Sequence, residues 1–111
     1  MDKLTQYRNI VQQLIKDYAN YRPAYGDIEV ETIFDTQHDH YQLVNIGWDE
    51  EQRIHGCSLH IDIKEGKIWI QHNGTENLMS EELVALGVPK QDIVLGFQSP
   101  YKRKMTEFSS G

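Results

Sequence analysis

The chain has 111 residues and a mass of 13.0 kDa, a size that fits one domain, residues 1–111, and leaves no room for a second. Its 39% hydrophobic and 25% charged residues are typical of a globular protein, and its net charge of −6 disfavours direct binding to nucleic acid. No apolar run is long enough to span a membrane, and the first residues, MDKLTQYRN, do not resemble a secretion signal, so we expect a cytoplasmic protein.

The first predicted element is a helix of about five turns. Apolar side chains recur every three or four residues from Leu4 to Tyr21, a spacing that places them on one face of a helix. Asp2 can cap the start of this helix, and Pro23 and Gly26 end it. The pattern favours packing against a core, because a coiled coil would need more heptads with matched flanking charges.

Four strand-like segments follow, at residues 28–34, 40–48, 53–64 and 67–72. Each alternates apolar and polar residues, which is typical of an antiparallel sheet with one buried face. A two-residue loop at Glu65 and Gly66 and a four-residue loop at residues 49–52 would join the last three segments as hairpins. These loops predict the following pairs: Ile63 with Ile68, Ile61 with Ile70, Asp62 with Trp69, His60 with Gln71, Trp48 with Arg53, and Val44 with Cys57.

This register sorts the side chains of the sheet onto two faces. The predicted core face contains Val44, Ile46, Trp48, Cys57, Leu59, Ile61, Ile63, Ile68 and Ile70. The opposite face is predicted to mix aromatic, aliphatic and polar side chains, namely Tyr41, Leu43, Ile54, His60, Asp62 and Trp69. Such a mixture is typical of a surface that binds another protein. The alternative is that residues 93–97 and the tail fold over this face.

The remaining segments complete the predicted fold. Residues 78–86 read as a short helix that ends at Gly87 and Pro89, and residues 93–97 read as a strand or a turn before a polar tail. We therefore predict an α+β fold in which the N-terminal helix packs on a four-stranded antiparallel meander. A second short helix and a C-terminal extended segment follow the meander.

Cys57 is the only cysteine, which excludes an internal disulfide and a cysteine-based zinc cluster. His55 and His60 flank it, as a catalytic base might flank a thiol nucleophile. The alternation, however, places Cys57 on the apolar face with Leu59, away from His60. Burial among apolar side chains raises a thiol pKa, so we interpret Cys57 as a structural residue.

Several histidines and one aspartate are a second candidate for a catalytic or metal-binding site. His38 and His40 lie two residues apart, and His60 and Asp62 share a strand face, but nothing in the pattern brings the two pairs together. A metal site needs three or four converging ligands. We therefore expect no metal, no cofactor and no catalytic residues. A small metal-dependent hydrolase or nuclease that uses His60, Asp62 and His72 stays open as an alternative.

The one basic cluster is Lys102, Arg103 and Lys104 near the carboxyl end. Duplex affinity comes largely from several phosphate contacts, and three cations on a domain of net charge −6 supply few of them. We expect weak contact with DNA at most. The alternative is an accessory factor that binds DNA directly through this tail.

Several segments together resemble the XisI-like family, the fdxN element excision controlling factors of cyanobacteria. They are YRNIVQQLI, DHYQLVNIGWD, GCSLHIDIKEGKIWIQHNGTE, EELVALGVPKQDIVLGF and SPYKRKMTEF, which span nearly the whole chain. His38 and Asn73 depart from the residues that this family would lead us to expect. The resemblance implies a small α+β fold and a role in programmed, site-specific excision of a DNA element during cell differentiation. The resemblance assigns no catalytic residues to this sequence.

The resemblance also implies partners. Strand exchange in that system belongs to a separate site-specific recombinase, and a companion protein of the XisH type acts alongside. Because the chain is acidic, we expect it to control excision as a non-enzymatic regulatory factor through protein–protein contacts. The expected partners are the XisH-like companion, a second copy in a homodimer and, as a further candidate, the recombinase.

Overall fold

A computed structural model describes residues 2–20 and 26–111 of the chain. It begins with helix α1 (Lys3–Ala19), which four strands follow: β1 (Asp27–Asp35), β2 (His40–Asp49), β3 (Gln52–Lys64) and β4 (Lys67–Asn73). Helix α2 (Met79–Ala85), a short 3-10 helix (Lys90–Asp92), strand β5 (Ile93–Leu95) and helix α3 (Pro100–Arg103) complete the order. None of the helices within these two ranges has the length and apolar character needed to cross a membrane.

The five strands form one mixed sheet in the order β1-β2-β3-β4-β5. The first four strands pair antiparallel, as predicted, whereas β5 pairs parallel with β4. The α+β class is therefore confirmed, and the prediction of a purely antiparallel, four-stranded sheet is wrong. The fifth strand is only three residues long and joins β4 through a crossover that contains α2, so its pairing has no local signature in the sequence.

Helix α1 packs across one face of the sheet. The Asp2 side chain caps the helix by accepting a hydrogen bond of 2.8 Å from the backbone N–H of Thr5. The predicted stripe is confirmed at its centre, where Tyr7, Val11 and Leu14 are buried. The predicted end of the helix at Tyr21 and Pro23 lies outside the described residues.

Two tight turns hold the central hairpins in the predicted register. Glu65 and Gly66 both adopt positive φ angles, 53° and 76°, which matches the right-handed twist of the adjoining strands. The β2–β3 turn is shorter than predicted, because Asp49 already pairs with Gln52. Four of the predicted pairs near these turns are confirmed: Ile63 with Ile68, Ile61 with Ile70, Asp62 with Trp69, and Trp48 with Arg53.

Two irregularities change the register farther from the turns. Along β3, Leu59 pairs with Leu43 and Cys57 pairs with Val44. Ser58 is therefore an extra residue, a β-bulge, with no residue of β2 directly opposite it. The predicted pair of Val44 with Cys57 is therefore correct, but Cys57 and Leu59 lie on opposite faces. A second irregularity follows Ile61, where His60 pairs with His72 and not with Gln71, as predicted.

The extra residue at Ser58 decides which face of β2 is buried. The core lies between the sheet and helices α1 and α2, and its strand residues include Tyr41, Leu43, Leu59, Ile61, Ile63, Ile68 and Ile70. We call the opposite side of the sheet the outer face. The register places the following residues on it: Ile33, His40, Gln42, Val44, Ile46, Trp48, Arg53, His55, Cys57, His60, Asp62 and Trp69.

Candidate functional site

The structure does not bring the six residues of the predicted interaction surface together. Tyr41 and Leu43 expose 0% and 4% of their surface and belong to the core, so the prediction that they face outward is wrong. The physical reason is the extra residue at Ser58. Without it, Leu43 would lie opposite Ser58; with it, Leu43 lies opposite Leu59 and shares the buried face.

Ile54 also lies apart from the predicted surface. It pairs with Gly47, on the core side of β3, and is half-buried. Asp62 is eight residues farther along β3, about 26 Å away at the usual rise of a strand, and it faces the opposite side. Only His60, Asp62 and Trp69 of the six therefore occupy one face.

Trp69 is partly covered by the chain's own carboxyl end. The Arg103 guanidinium and the Lys64 ammonium lie 5.2 Å and 4.1 Å from the centre of its ring, and Gly111 lies beside its edge. The Lys67 ammonium holds this segment by donating to the Ser109 hydroxyl at 2.9 Å. The alternative that the tail folds over the mixed face is therefore realised at Trp69. The indole Nε1 is buried and has no hydrogen-bond partner among the described residues.

His40, His60 and Asp62 converge on the outer face. His40 Nδ1 lies 2.9 Å from Asp62 Oδ1, and His60 Nε2 lies 2.8 Å from the same oxygen. An ionised carboxylate only accepts hydrogen bonds, so each of these ring nitrogens carries the hydrogen that it donates. The sequence pattern showed no reason for His40 to meet the other two side chains. The pairing of β2 with β3 explains the contact, because His40 lies directly opposite Asp62.

The environment of Asp62 holds this cluster in place. Gln71 Nε2 donates to the second carboxylate oxygen, Oδ2, at 3.2 Å. On β4, Ile70 pairs with Ile61 and His72 pairs with His60, so Gln71 between them has no paired residue in β3. This second irregularity of the register is therefore what supplies Gln71 to the cluster. The Asp62 carboxylate raises the pKa of His40 above that of an ordinary histidine, because it stabilises the protonated ring.

The other histidines near the cluster take separate positions. His38 Nδ1 contacts Asp35 Oδ2 at 2.8 Å, although its ring stacks on His40 with a centroid separation of 6.5 Å. His72 is exposed and is not part of the group whose ligand atoms converge. The alternative of a hydrolase or nuclease site at His60, Asp62 and His72 therefore loses His72 as a converging ligand.

Cys57 lies on the outer face beside Val44 and is exposed, so the prediction that it packs with Leu59 is wrong. Its Sγ nevertheless donates to the Leu59 carbonyl oxygen at 2.9 Å. Desolvation of the sulfur raises the pKa of the Cys57 thiol above its usual value, which lowers the fraction of reactive thiolate.

The basic cluster lies at helix α3. Lys102 and Lys104 are exposed, whereas Arg103 is half-buried and donates from Nε to the Gln98 carbonyl oxygen at 3.0 Å. Because Arg103 also packs on Trp69, its position is set by contacts within the chain. Two lysines are left to contact a phosphate.

A groove of about 750 Å³ lies on the core side of the sheet, between the end of α1 and the loop after β4. Tyr18 and Glu82 form one wall, where the tyrosine hydroxyl donates to the carboxylate at 2.9 Å. Asp17 and Glu76 add two further carboxylates to its lining. A groove with this charge does not suit an anion such as a DNA phosphate.

The outer face carries an apolar region that the sequence analysis placed in the core. Val44, Ile46 and Trp48 follow one another at every second position of β2, and Ile33 lies diagonally beside Val44 on β1. We call these four residues the outer patch. Ile33 and Trp48, at its two ends, expose 50% and 49% of their surface, Ile46 is half-buried and Val44 exposes only 7%. A row of acidic residues on β1 borders the patch: Asp27, Glu29 and Glu31.

Comparison with known proteins agrees with this architecture. Residues 1–110 match the family described as XisI protein. A XisI-like protein from Anabaena variabilis ATCC 29413 is 47% identical, with a TM-score of 0.90 over 96% of this chain and 97% of that one. The fdxN element excision controlling factor XisI from the same organism is 37% identical, with a TM-score of 0.85 over 99% and 100%. No curated protein matches the chain. On the evidence of its whole length and its fold, the chain belongs to the XisI family.

Proposed function

We propose that this protein is a non-enzymatic regulatory factor in the site-specific excision of a DNA element, and that it acts through contacts with other proteins. Its family and its 37% identity to a protein named as an excision controlling factor support the role in excision. The exposure of Ile33 and Trp48 in the outer patch is the single observation that carries the protein-binding part of the proposal.

The outer patch has the composition of a protein-binding surface. Its four side chains are apolar, and charged side chains of β1 and Arg53 lie beside them, a combination that is usual in protein interfaces. Arg53 lies 5.3 Å from the ring of Trp48 and holds the indole at the end of the patch. Aromatic and arginine side chains of this kind contribute strongly to binding energy when a partner buries them.

The acidic row on β1 favours a partner with positively charged side chains. Asp27, Glu29 and Glu31 point to the same side as the outer patch, so a partner that covers the patch would place its own side chains beside three carboxylates. A basic rim on that partner would be complementary. We propose the XisH-like companion protein for this position, and a second copy of the chain as the other partner.

Direct DNA binding is the weaker candidate. The chain carries a net charge of −6, and Arg103 of the basic cluster is held by Gln98 and Trp69. We expect no saturable binding to duplex DNA at moderate salt. Saturable submicromolar binding with a steep salt dependence, lost on neutralising Lys102 and Lys104, would instead support an accessory factor that binds DNA.

Light scattering after size-exclusion chromatography tests the proposal, first on the pure chain and then on its mixture with the companion protein. We expect a dimer, a complex with the companion, or both. Trp48→Asp should weaken the assembly at least tenfold, because it buries a charge in the patch at the end far from His40. Leu86→Asp is the matched control, since Leu86 is 51% exposed at the end of α2 on the other side of the sheet. A monomer that ignores the companion, or equal effects of the two variants, would contradict the proposal.

A further inference from the structure

We propose that His40, His60 and Asp62 form a binding site for a divalent first-row transition metal such as Zn²⁺. The three side chains offer two imidazole nitrogens and one carboxylate oxygen, and these atoms lie within 4.8 Å of one another. The site lies on the outer face at the end of β2 where His40 begins the strand.

The distances within the cluster are slightly shorter than those between neighbouring ligands of one metal ion. With metal–ligand bonds of about 2.1 Å, adjacent ligand atoms lie about 3.0 Å apart in octahedral geometry and about 3.4 Å apart in tetrahedral geometry. The two imidazole nitrogens lie 2.8 Å and 2.9 Å from Asp62 Oδ1. After a small rotation of the rings, a metal ion can take the place of the two hydrogens; a neutral imidazole then carries its hydrogen on the other ring nitrogen, and a protonated one releases a proton to solvent.

The backbone holds the ligands in a fixed arrangement. His40 and Asp62 face each other across the β2–β3 ladder, and His60 lies two positions from Asp62 on the same side of β3. Gln71 orients Asp62 from the neighbouring strand by donating to Oδ2. Hydrogen bonds of this kind to the outer atoms of a ligand raise metal affinity, because they fix the ligand before the ion arrives.

The cluster is accessible as well as ordered. The Asp62 side chain is 10% exposed and forms the floor, whereas the His40 side chain is 52% exposed and forms an open side. Three protein ligands leave positions for water or for a group from a second molecule. Two imidazoles with one carboxylate favour zinc, iron, cobalt or nickel over Mg²⁺, which prefers oxygen ligands.

This inference does not depend on the proposed function. Trp48, at the far end of the outer patch, is eight residues from His40 along β2, a distance of about 27 Å. Variants of the metal cluster and a variant at Trp48 therefore report on separate sites, whereas Ile33, which pairs with Gln42 next to His40, lies close to the cluster. Loss of metal binding would leave the proposal on protein contacts unchanged, and the reverse also holds.

Isothermal titration of the full, tag-free and metal-free chain with Zn²⁺ tests the site, with Mg²⁺ as the comparison ion. We expect one Zn²⁺ per chain and no binding of Mg²⁺. His40→Ala and His60→Ala should each weaken Zn²⁺ binding at least tenfold, and Asp62→Asn should do the same. His55→Ala is the control, because His55 is an exposed histidine on the same face of β3 outside the cluster.

Two further readouts keep the test decisive if a variant folds poorly. Zn²⁺ at 100 times its Kd should raise the melting temperature of the unmodified chain by about 10 °C. X-ray absorption of the zinc-loaded chain should show two imidazole ligands and oxygen donors. No zinc binding, an equal loss in His55→Ala, or a zinc shell without two imidazoles would overturn the proposal.

Discussion

Arg8 on α1 forms a paired hydrogen bond with Asp39 in the turn between β1 and β2. Its Nε donates to Oδ1 at 2.8 Å, and its Nη2 donates to Oδ2 at 3.1 Å. The Tyr41 hydroxyl donates to Oδ1 at 2.8 Å, and the Asp39 carbonyl oxygen accepts from the Ile63 N–H at 3.0 Å. One aspartate thus joins the helix, the turn and β3, directly beside the proposed metal ligand His40.

Replacing Arg8 should destabilise the fold. Arg8→Met leaves the largely buried Asp39 carboxylate with the Tyr41 hydroxyl as its remaining side-chain donor, and losing a charged hydrogen-bond partner costs about 2 kcal/mol in the free energy of unfolding. Urea denaturation at pH 7 measures the change. Lys16→Met, at an exposed position of the same helix, is the control and should change stability by less than about 0.5 kcal/mol. Equal effects of the two variants would contradict this interpretation of the contact.

The same contact predicts how acid affects stability. The Arg8 guanidinium, with the Tyr41 hydroxyl, holds the pKa of Asp39 below its usual value. A carboxyl whose pKa is lower in the folded state contributes its stability above about pH 4, and this contribution is lost as the pH falls through the folded-state pKa. The difference in unfolding free energy between the unmodified chain and Arg8→Met should therefore shrink as the pH falls below about 4. A constant difference over this range would show that Asp39 does not titrate against Arg8.

The assignment of the two sheet faces can be tested with alanine substitutions. Leu43→Ala should lower the free energy of unfolding by about 2–5 kcal/mol, because Leu43 lies in the core and leaves a cavity. Ile33→Ala, at a half-exposed position on the outer face, should cost less than about 1 kcal/mol. Chemical denaturation of both variants measures the difference. A loss for Leu43→Ala as small as that for Ile33→Ala would instead support the outward position that the sequence alone predicts for Leu43.

Cys57 should react with an alkylating reagent in the folded protein. Its side chain is exposed, so iodoacetamide should modify it without denaturant. The thiol pKa is raised by desolvation, so the reaction should be slower than that of free cysteine at pH 7.5, and its rate should rise over a more alkaline range. Mass spectrometry over time follows the reaction. A thiol that reacts only after unfolding would place Cys57 in the core.

The parts of the fold that short-range rules describe could be predicted from the sequence. The α1 stripe, the Asp2 cap and the Glu65–Gly66 turn each depend on residues close together in the chain. The pairs next to the turns were correct for the same reason, since a two-residue turn sets the register of its own strands. The family resemblance was also confirmed, because it draws on residues along nearly the whole chain.

The face assignment failed where the register depends on an extra residue far from any turn. A glycine inside a strand can indicate a bulge or a close approach of backbones, so Gly56 was the one available signal near Ser58. The alternation of apolar and polar residues could not show where the bulge lies. Side chains alternate with a period of two, so a bulge two positions away would put most of them on the same faces. Tyr41 and Leu43 were therefore assigned to the wrong side, and the outer patch was missed.

The amino-acid sequence by itself determined the helix stripe, the antiparallel pairing of β1 to β4, the turn positions and the acidic charge of this protein. The tertiary structure alone decided which face of β2 is buried, the parallel pairing of β5, and the meeting of His40 with His60 and Asp62. The physical reason is the range of the interactions. Capping, helical periodicity and tight turns act over a few residues, whereas the bulge and the 22-residue separation of His40 from Asp62 are resolved only when the strands pack against the core.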